Sequence, residues 1–233
     1  QNAGEAETIT LTNIKNPVIS GTTGTYTIKT TTNGNVDIDQ DTAVAADTIT
    51  AASLASTNVQ PASLKVSTTG NVTVFFTTSN PLPADGKIKI TFPNSLGAGF
   101  ILSGIGNSDA SSTDISGTEW ATVSGQVLTI TRSGGLILAA GSLVDDLVIA
   151  NIKNPDVVGS TGTYTIQTTD ATDVVIDEDT AVLADTTTAG ALTATNVQPA
   201  SLTAGVTGNV TVTFTLEHAL PATGKILVTF PAG

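Results

Sequence analysis

Hydrophobic and polar residues alternate along much of this chain, in short runs separated by turn residues. Within residues 71–77, Val72, Val74 and Phe76 stand at every second position. A strand points successive side chains to opposite faces of its sheet, so these three share one face. Similar runs recur with turns every 8–12 residues or so, and none has a convincing helical period. The pattern predicts an all-β protein.

The chain also repeats itself. Residues 57–64 return unchanged as residues 195–202, at an offset of 138 positions. At this offset, residues 10–95 and 148–233 are identical at 52 of 86 positions, with no insertion or deletion. A unit of this length can bury its own core, so the repeat predicts domains in series and not the small units of a solenoid.

Comparison of the two copies predicts which face of a strand is buried. Val74 recurs as Val212, whereas its neighbour Phe75 becomes Thr213. A position that is phenylalanine in one copy and threonine in the other can be exposed to solvent. Val72, Val74 and Phe76 are therefore expected in the core, with Phe75 on the outer face.

One domain is complete in this register, and its pattern predicts an antiparallel β-sandwich over residues 57–185. Its single-copy part, residues 94–139, contains three further predicted strands, at 100–105, 119–123 and 126–131. Several short strands with regular turns are typical of sandwiches. A closed barrel meets the same pattern and remains the alternative.

Two incomplete sandwiches flank this domain. Residues 1–50 correspond to the C-terminal strands of a domain and residues 195–233 to the N-terminal strands of the next. Residues 1–12 are expected to form a strand through Ile9 and Leu11. Each fragment would leave an unpaired sheet edge and an open core. We expect each to be completed by neighbouring repeats of a longer chain or by strands of another copy.

Charge and composition exclude several classes of partner. The formal charge is −12 with eight basic residues, which disfavours nucleic acid and anionic membrane surfaces. Cysteine is absent, so disulfide and zinc-thiolate chemistry is not available. No apolar run approaches the roughly 20 residues of a membrane span, so membrane insertion is not expected.

Two acidic clusters at equivalent strand ends are candidate calcium sites. Carboxylate oxygens are the ligands that calcium prefers, although the spacing is not that of an EF-hand loop. The alternative is that these acids are solvated at a strand edge. The candidate ligands are Asp37, Asp39, Asp41, Asp177, Glu178 and Asp179.

Asn71 and Asn209 begin N-glycosylation sequons at equivalent positions of the two copies. Asn71 precedes a predicted strand, where a glycan could project into solvent. A chain this rich in asparagine and threonine also produces sequons by chance, and modification further requires a secretory route.

Catalysis is not predicted. His218 is the only histidine, and its counterpart in the first copy is Asn80, so the repeat carries no Ser-His-Asp triad and no histidine metal centre. Trp120, beside Glu119, is expected to be a core residue or a local surface anchor rather than a sugar platform.

Three short motifs point to a known class of domain. They are GTYTI at residues 24–28, LPADGKI at 82–88 and TFP at 91–93. Together they resemble the tandem Ig-like repeats of large cell-surface adhesins, stalks and extracellular fibres. The resemblance implies a structural module of an extracellular filament or cell-surface fibre, whose partners are other copies or flanking repeats. The alternative is a glycan- or partner-binding adhesin module of a secreted protein.

Overall fold

β-strands make up all the regular secondary structure of the computed structural model, which describes residues 2–232; Gln1 and Gly233 lie outside this range. Residues 2–232 contain no helix. The eighteen strands are β1 (Gly21–Thr22), β2 (Tyr26–Thr31), β3 (Asp37–Val44), β4 (Thr48–Ile49), β5 (Ala52–Ser53), β6 (Ala55–Pro61), β7 (Thr69–Thr77), β8 (Lys87–Thr91), β9 (Ala110–Ser111), β10 (Thr118–Ser124), β11 (Val127–Ser133), β12 (Leu143–Lys153), β13 (Gly159–Ser160), β14 (Tyr164–Thr169), β15 (Val175–Val182), β16 (Thr186–Thr187), β17 (Thr193–Pro199) and β18 (Val210–Thr215).

The central part of the chain forms two main sheets around one core. One sheet has six strands in the order β10-β11-β8-β14-β15-β5, and the other has four in the order β6-β7-β12-β9. All pairs are antiparallel except β5 with β15. The core residues extend along the chain from Leu54 to Val182 and come from both sheets. This arrangement agrees with the predicted β-sandwich.

The register predicted for β7 is confirmed. Val72, Val74 and Phe76 are buried, and Phe75 is only half-buried on the opposite face. β8 repeats the alternation, because its isoleucines are buried and its threonine and lysines are half-buried. The two-residue period of these strands therefore separates side chains that face the core from side chains that face the solvent.

Three aromatic rings pack against one another in the core. Phe92 lies edge-on to Phe100 with ring centroids 5.3 Å apart, and edge-on to Tyr164 at 5.8 Å. Such edge-to-face contacts are favourable beyond the apolar area they bury. The Tyr164 hydroxyl donates a 2.7 Å hydrogen bond to Asp185, so its polar end is satisfied.

Three predicted strands are not formed. Phe100 and Leu102 enter the core, but residues 100–105 run through turns and make a single bridge, between Ile101 and Lys153. The residues around Ile9, and residues 226–230, which belong to the N-terminal strands expected within 195–233, are not in a strand. A strand requires a hydrogen-bonded neighbour along its length. Residues 100–105 have one only at Ile101, and the other two stretches have none in the part of the chain described here.

The flanking segments reproduce pieces of the complete domain. β2 pairs with β3 in the register of β14 with β15, bulges included, and β1 with β4 in that of β13 with β16. At the other end, β17 pairs with β18 in the register of β6 with β7. These strand pairs thus fold locally as their sequence counterparts do, whereas residues 9–15 and 225–229 do not form the strands of theirs.

Candidate assembly interface

Asp177 is buried and fixes a turn of the complete domain. Its carboxylate accepts hydrogen bonds from the backbone N–H groups of Ser79 (3.0 Å) and Asn80 (2.9 Å) and from the Asn80 side chain (2.9 Å). Three donors satisfy the charge that burial would otherwise penalise. Asp177 therefore links β15 to the loop that follows β7.

The other candidate ligands also have protein partners. Asp179 accepts from the Thr57 hydroxyl, Glu178 from Gln167, and Asp41 from a backbone N–H two residues on. In the described residues, no three acidic or histidine side chains come together to hold a metal ion. The calcium site on these residues stays a prediction, and the geometry gives the acids structural roles.

Asp37 and Asp39 lie on the exposed strand β3. Asp37 forms a 2.8 Å ion pair with Lys29, and Asp39 accepts a hydrogen bond from the Thr30 hydroxyl at 3.3 Å. Exposed pairs of this kind contribute little stability. The two carboxylates remain accessible to a further partner.

Both sequon asparagines are exposed. Asn71 lies within β7, and Asn209 immediately precedes β18. Each backbone carbonyl accepts a hydrogen bond from the equivalent alanine, Ala62 or Ala200. This hydrogen bond is the same in the two copies, and glycosylation at these positions stays a prediction.

Two polar residues that organise the complete domain were not predicted. The buried Arg132 donates to the carbonyls of Pro83 (2.7 Å) and Leu136 (2.8 Å), joining two loops. Asp146 accepts from the hydroxyls of Ser112 and Thr113 at the bulge of β12. Both lie outside the region repeated in both copies, so comparison of the copies gave no signal for them.

The tryptophan is exposed and the histidine is half-buried. Trp120 is more than half exposed on β10, so the core position expected as one option for it is wrong. His218 lies beside Glu217, which forms a 3.0 Å ion pair with Lys65 of the complete domain. That ion pair connects the complete domain to the C-terminal flanking segment.

The N-terminal flanking segment exposes an apolar face that is core in the complete domain. Ile28 is 62% exposed, whereas its counterpart Ile166 is fully buried. Leu11 is 73% exposed, and its counterpart Ile149 is fully buried. The exposed members of this face are Ile9, Leu11, Ile14, Tyr26, Ile28 and Ile38.

The backbone of this segment is already set for the complete fold. Asn13 has a positive φ of 63°, the same value as its counterpart Asn151, where β12 bulges. Tyr26 donates to Asp47 as Tyr164 donates to Asp185. The hairpin of this segment is therefore folded like its counterpart, and what it lacks in the described residues is the neighbouring strand and the facing sheet.

The C-terminal flanking segment exposes the complementary half. Val212 and Val228 are more than one third exposed, although their counterparts Val74 and Ile90 are fully buried. An open groove of about 230 Å³ lies between β17, β18 and residues 226–229. Apolar surface of this kind is typical of an interaction site. The exposed members of this half are Val197, Val210, Val212, Ile226, Val228 and Phe230.

No family model, curated protein or solved structure matches this chain. Within residues 2–232, no helix is long and apolar enough to span a membrane.

Proposed function

We propose that this chain is a structural repeat module of an extracellular filament or cell-surface fibre. Its Ig-like β-sandwich units follow one another head to tail, by continuation of a tandem array or by strand exchange between subunits. The proposal rests on two exposed apolar faces. Each is made of residues whose counterparts lie in the core of the complete domain.

The geometry supports a heterologous contact over a two-fold symmetric one. The two exposed faces come from different parts of the repeat, so the contact between successive units is heterologous. A heterologous contact that does not close into a ring produces a filament. The same contact propagates whether the units are joined by peptide bonds or by exchanged strands.

A glycan-binding module is the weaker candidate. The cavity of the single-copy part is lined by aliphatic and small polar residues, among them Leu102, Ile105, Asn107 and Val123. Sugar recognition commonly uses an aromatic platform, and Trp120 is not among the lining residues. A structural role therefore explains more of the observed features than glycan binding does.

Electron microscopy of the native material tests the proposal. We expect linear particles with a bead-like or helical repeat, whose unit is one 138-residue domain in a continued array and one 233-residue copy after strand exchange. Isolated globular particles, or closed rings, in native material would overturn it.

A further inference from the structure

β14 of the complete domain shows where the exposed strand β2 finds a partner. Ile166 of β14 lies opposite Ile90 of β8, and both are fully buried. At the repeat offset of 138 residues, Ile28 is the counterpart of Ile166, and Val228 is the counterpart of Ile90. The residue missing beside Ile28 is therefore present in the same chain, in the other flanking segment.

β12 gives the same result for the second sheet. Leu147 of β12 lies opposite Val74 of β7, and both are buried. Their equivalents are Ile9 and Val212, which are both exposed. Two independent strand pairs thus assign the same partner in a fixed register.

We propose that residues 9–44 of one copy and residues 193–230 of a second copy of this chain close one β-sandwich together. Ile28 then lies opposite Val228, and Ile9 opposite Val212. Each sheet of the joint has three strands, so both gain a paired central strand. The inference rests on the proposed function and identifies the partner and the register of the contact.

Aromatic packing across the joint follows from the complete domain. Phe92 lies edge-on to Tyr164, and the equivalent residues are Phe230 and Tyr26. Both are exposed, at 59% and 43%. Bringing Phe230 of one copy against Tyr26 of the other removes two large apolar surfaces from water and restores the edge-to-face contact.

A buried carboxylate anchor is also available to the joint. Asp39 is the equivalent of Asp177, and the residues equivalent to Ser79 and Asn80 are Glu217 and His218. In the joint, the Asp39 carboxylate accepts from the two backbone N–H groups, and the His218 ring stands where the Asn80 amide donates. The backbone N–H of Asp39 donates to the Thr30 hydroxyl as that of Asp177 donates to the Thr168 hydroxyl, so the backbone at Asp39 is already placed as it is at Asp177.

Engineered disulfides test the register in the full chain, which has no cysteine of its own. The test pair is Lys29→Cys with Leu227→Cys. The corresponding pair in the complete domain, Gln167→Cys with Lys89→Cys, has the same local geometry and serves as the positive control. The register control is Lys29→Cys with Lys225→Cys, which shifts one partner by two residues on the same face. This shift moves it about 7 Å along the strand, beyond disulfide reach.

After mild oxidation we expect the test pair to give a ladder of disulfide-linked multimers on non-reducing gels. The register control stays monomeric, and the positive control forms its bond within one chain. An equal ladder from the register control, no ladder, or a bond within a single monomer from the test pair would overturn the inference. Fibres in native material without the ladder would refute only this register, whereas isolated native particles would refute the proposed function itself.

A second variant tests the carboxylate anchor without touching the apolar faces. Asp39→Ala should raise the concentration needed for assembly at least about tenfold, because it removes charge-assisted hydrogen bonds from the joint. Asp37→Ala, on the same strand and with the same charge change, has Val175 as its counterpart and should leave assembly near the wild-type level. Equal effects of the two variants would contradict the anchor.

Discussion

Ile28 and Ile166 occupy the same position of the same strand pairing, yet Ile28 is 62% exposed and Ile166 is fully buried. Ile28 lies opposite Asp41 and Ile166 opposite Asp179, in hairpins with the same bulges. Local structure is therefore not what separates them. The difference is the neighbouring strand and the facing sheet, which Ile166 has within the chain and Ile28 lacks in the described residues.

Substitutions on β7 should separate core from surface within the complete domain. Val74→Asp or Phe76→Asp would bury an unpaired carboxylate at a cost of several kcal/mol, comparable with the stability of a domain. Phe75→Asp should cost only about 1 kcal/mol, because its side chain lies on the outer face. Thermal unfolding followed by circular dichroism measures the ranking, and Phe75→Asp as the most damaging of the three would refute the register.

Asp177→Ala should destabilise the complete domain by about 2–4 kcal/mol. The substitution leaves the backbone donors of Ser79 and Asn80 without their acceptor. Glu178→Ala is the matched control on the same strand, where one half-buried hydrogen bond to Gln167 is lost, and it should cost less than about 1 kcal/mol. Chemical denaturation gives both values, and equal losses would argue against a turn anchored by Asp177.

Asp146 should make the stability of the complete domain depend on acid pH. Desolvation opposes ionisation of this group, but hydrogen bonds from Ser112, Thr113 and Asp114 prevail and hold its pKa below the usual range. A lowered pKa in the folded state contributes stability above the unfolded pKa of about 3.9, and this is lost as pH falls from there toward the folded pKa.

The matched variant for this effect is Asp146→Asn. It should unfold at a lower temperature than the wild type at pH 7, and the gap between the two proteins should narrow as pH falls below about 4. Melting curves between pH 2 and 7 provide the measurement. A constant gap across this range would show that the charge of Asp146 contributes nothing.

The sequence predicted those parts of the fold where side chains alternate or where two copies could be compared. Phe76 and Phe75 were assigned correctly because Phe76 recurs and Phe75 does not. Residues 100–105 were predicted as a strand from their apolar side chains, but Gly99 and Gly104 lie beside turns in this segment. The hydrophobic side chain of Phe100 predicted its burial correctly, but it did not determine the backbone conformation of this segment.

The candidate site was predicted in outline only. The broken phase of the repeat indicated that both flanking segments are incomplete, and the exposed faces agree with this. The role of Asp177 could not be predicted, because its donors Ser79 and Asn80 lie almost one hundred residues earlier in the chain. Strand spacing alone suggested calcium ligands, whereas the contacts of Asp177 depend on the packing of two sheets.

Hydrogen exchange measured by mass spectrometry tests most directly whether the two flanking segments complete each other. Residues 9–15 and 225–229 form no strand in the single chain, although their counterparts lie in β12 and β8. On assembly, we expect exchange in both stretches to slow at least about tenfold, while the amides of β7 stay protected throughout. Assembled material in which both stretches still exchange as fast as in the dilute chain would contradict the account.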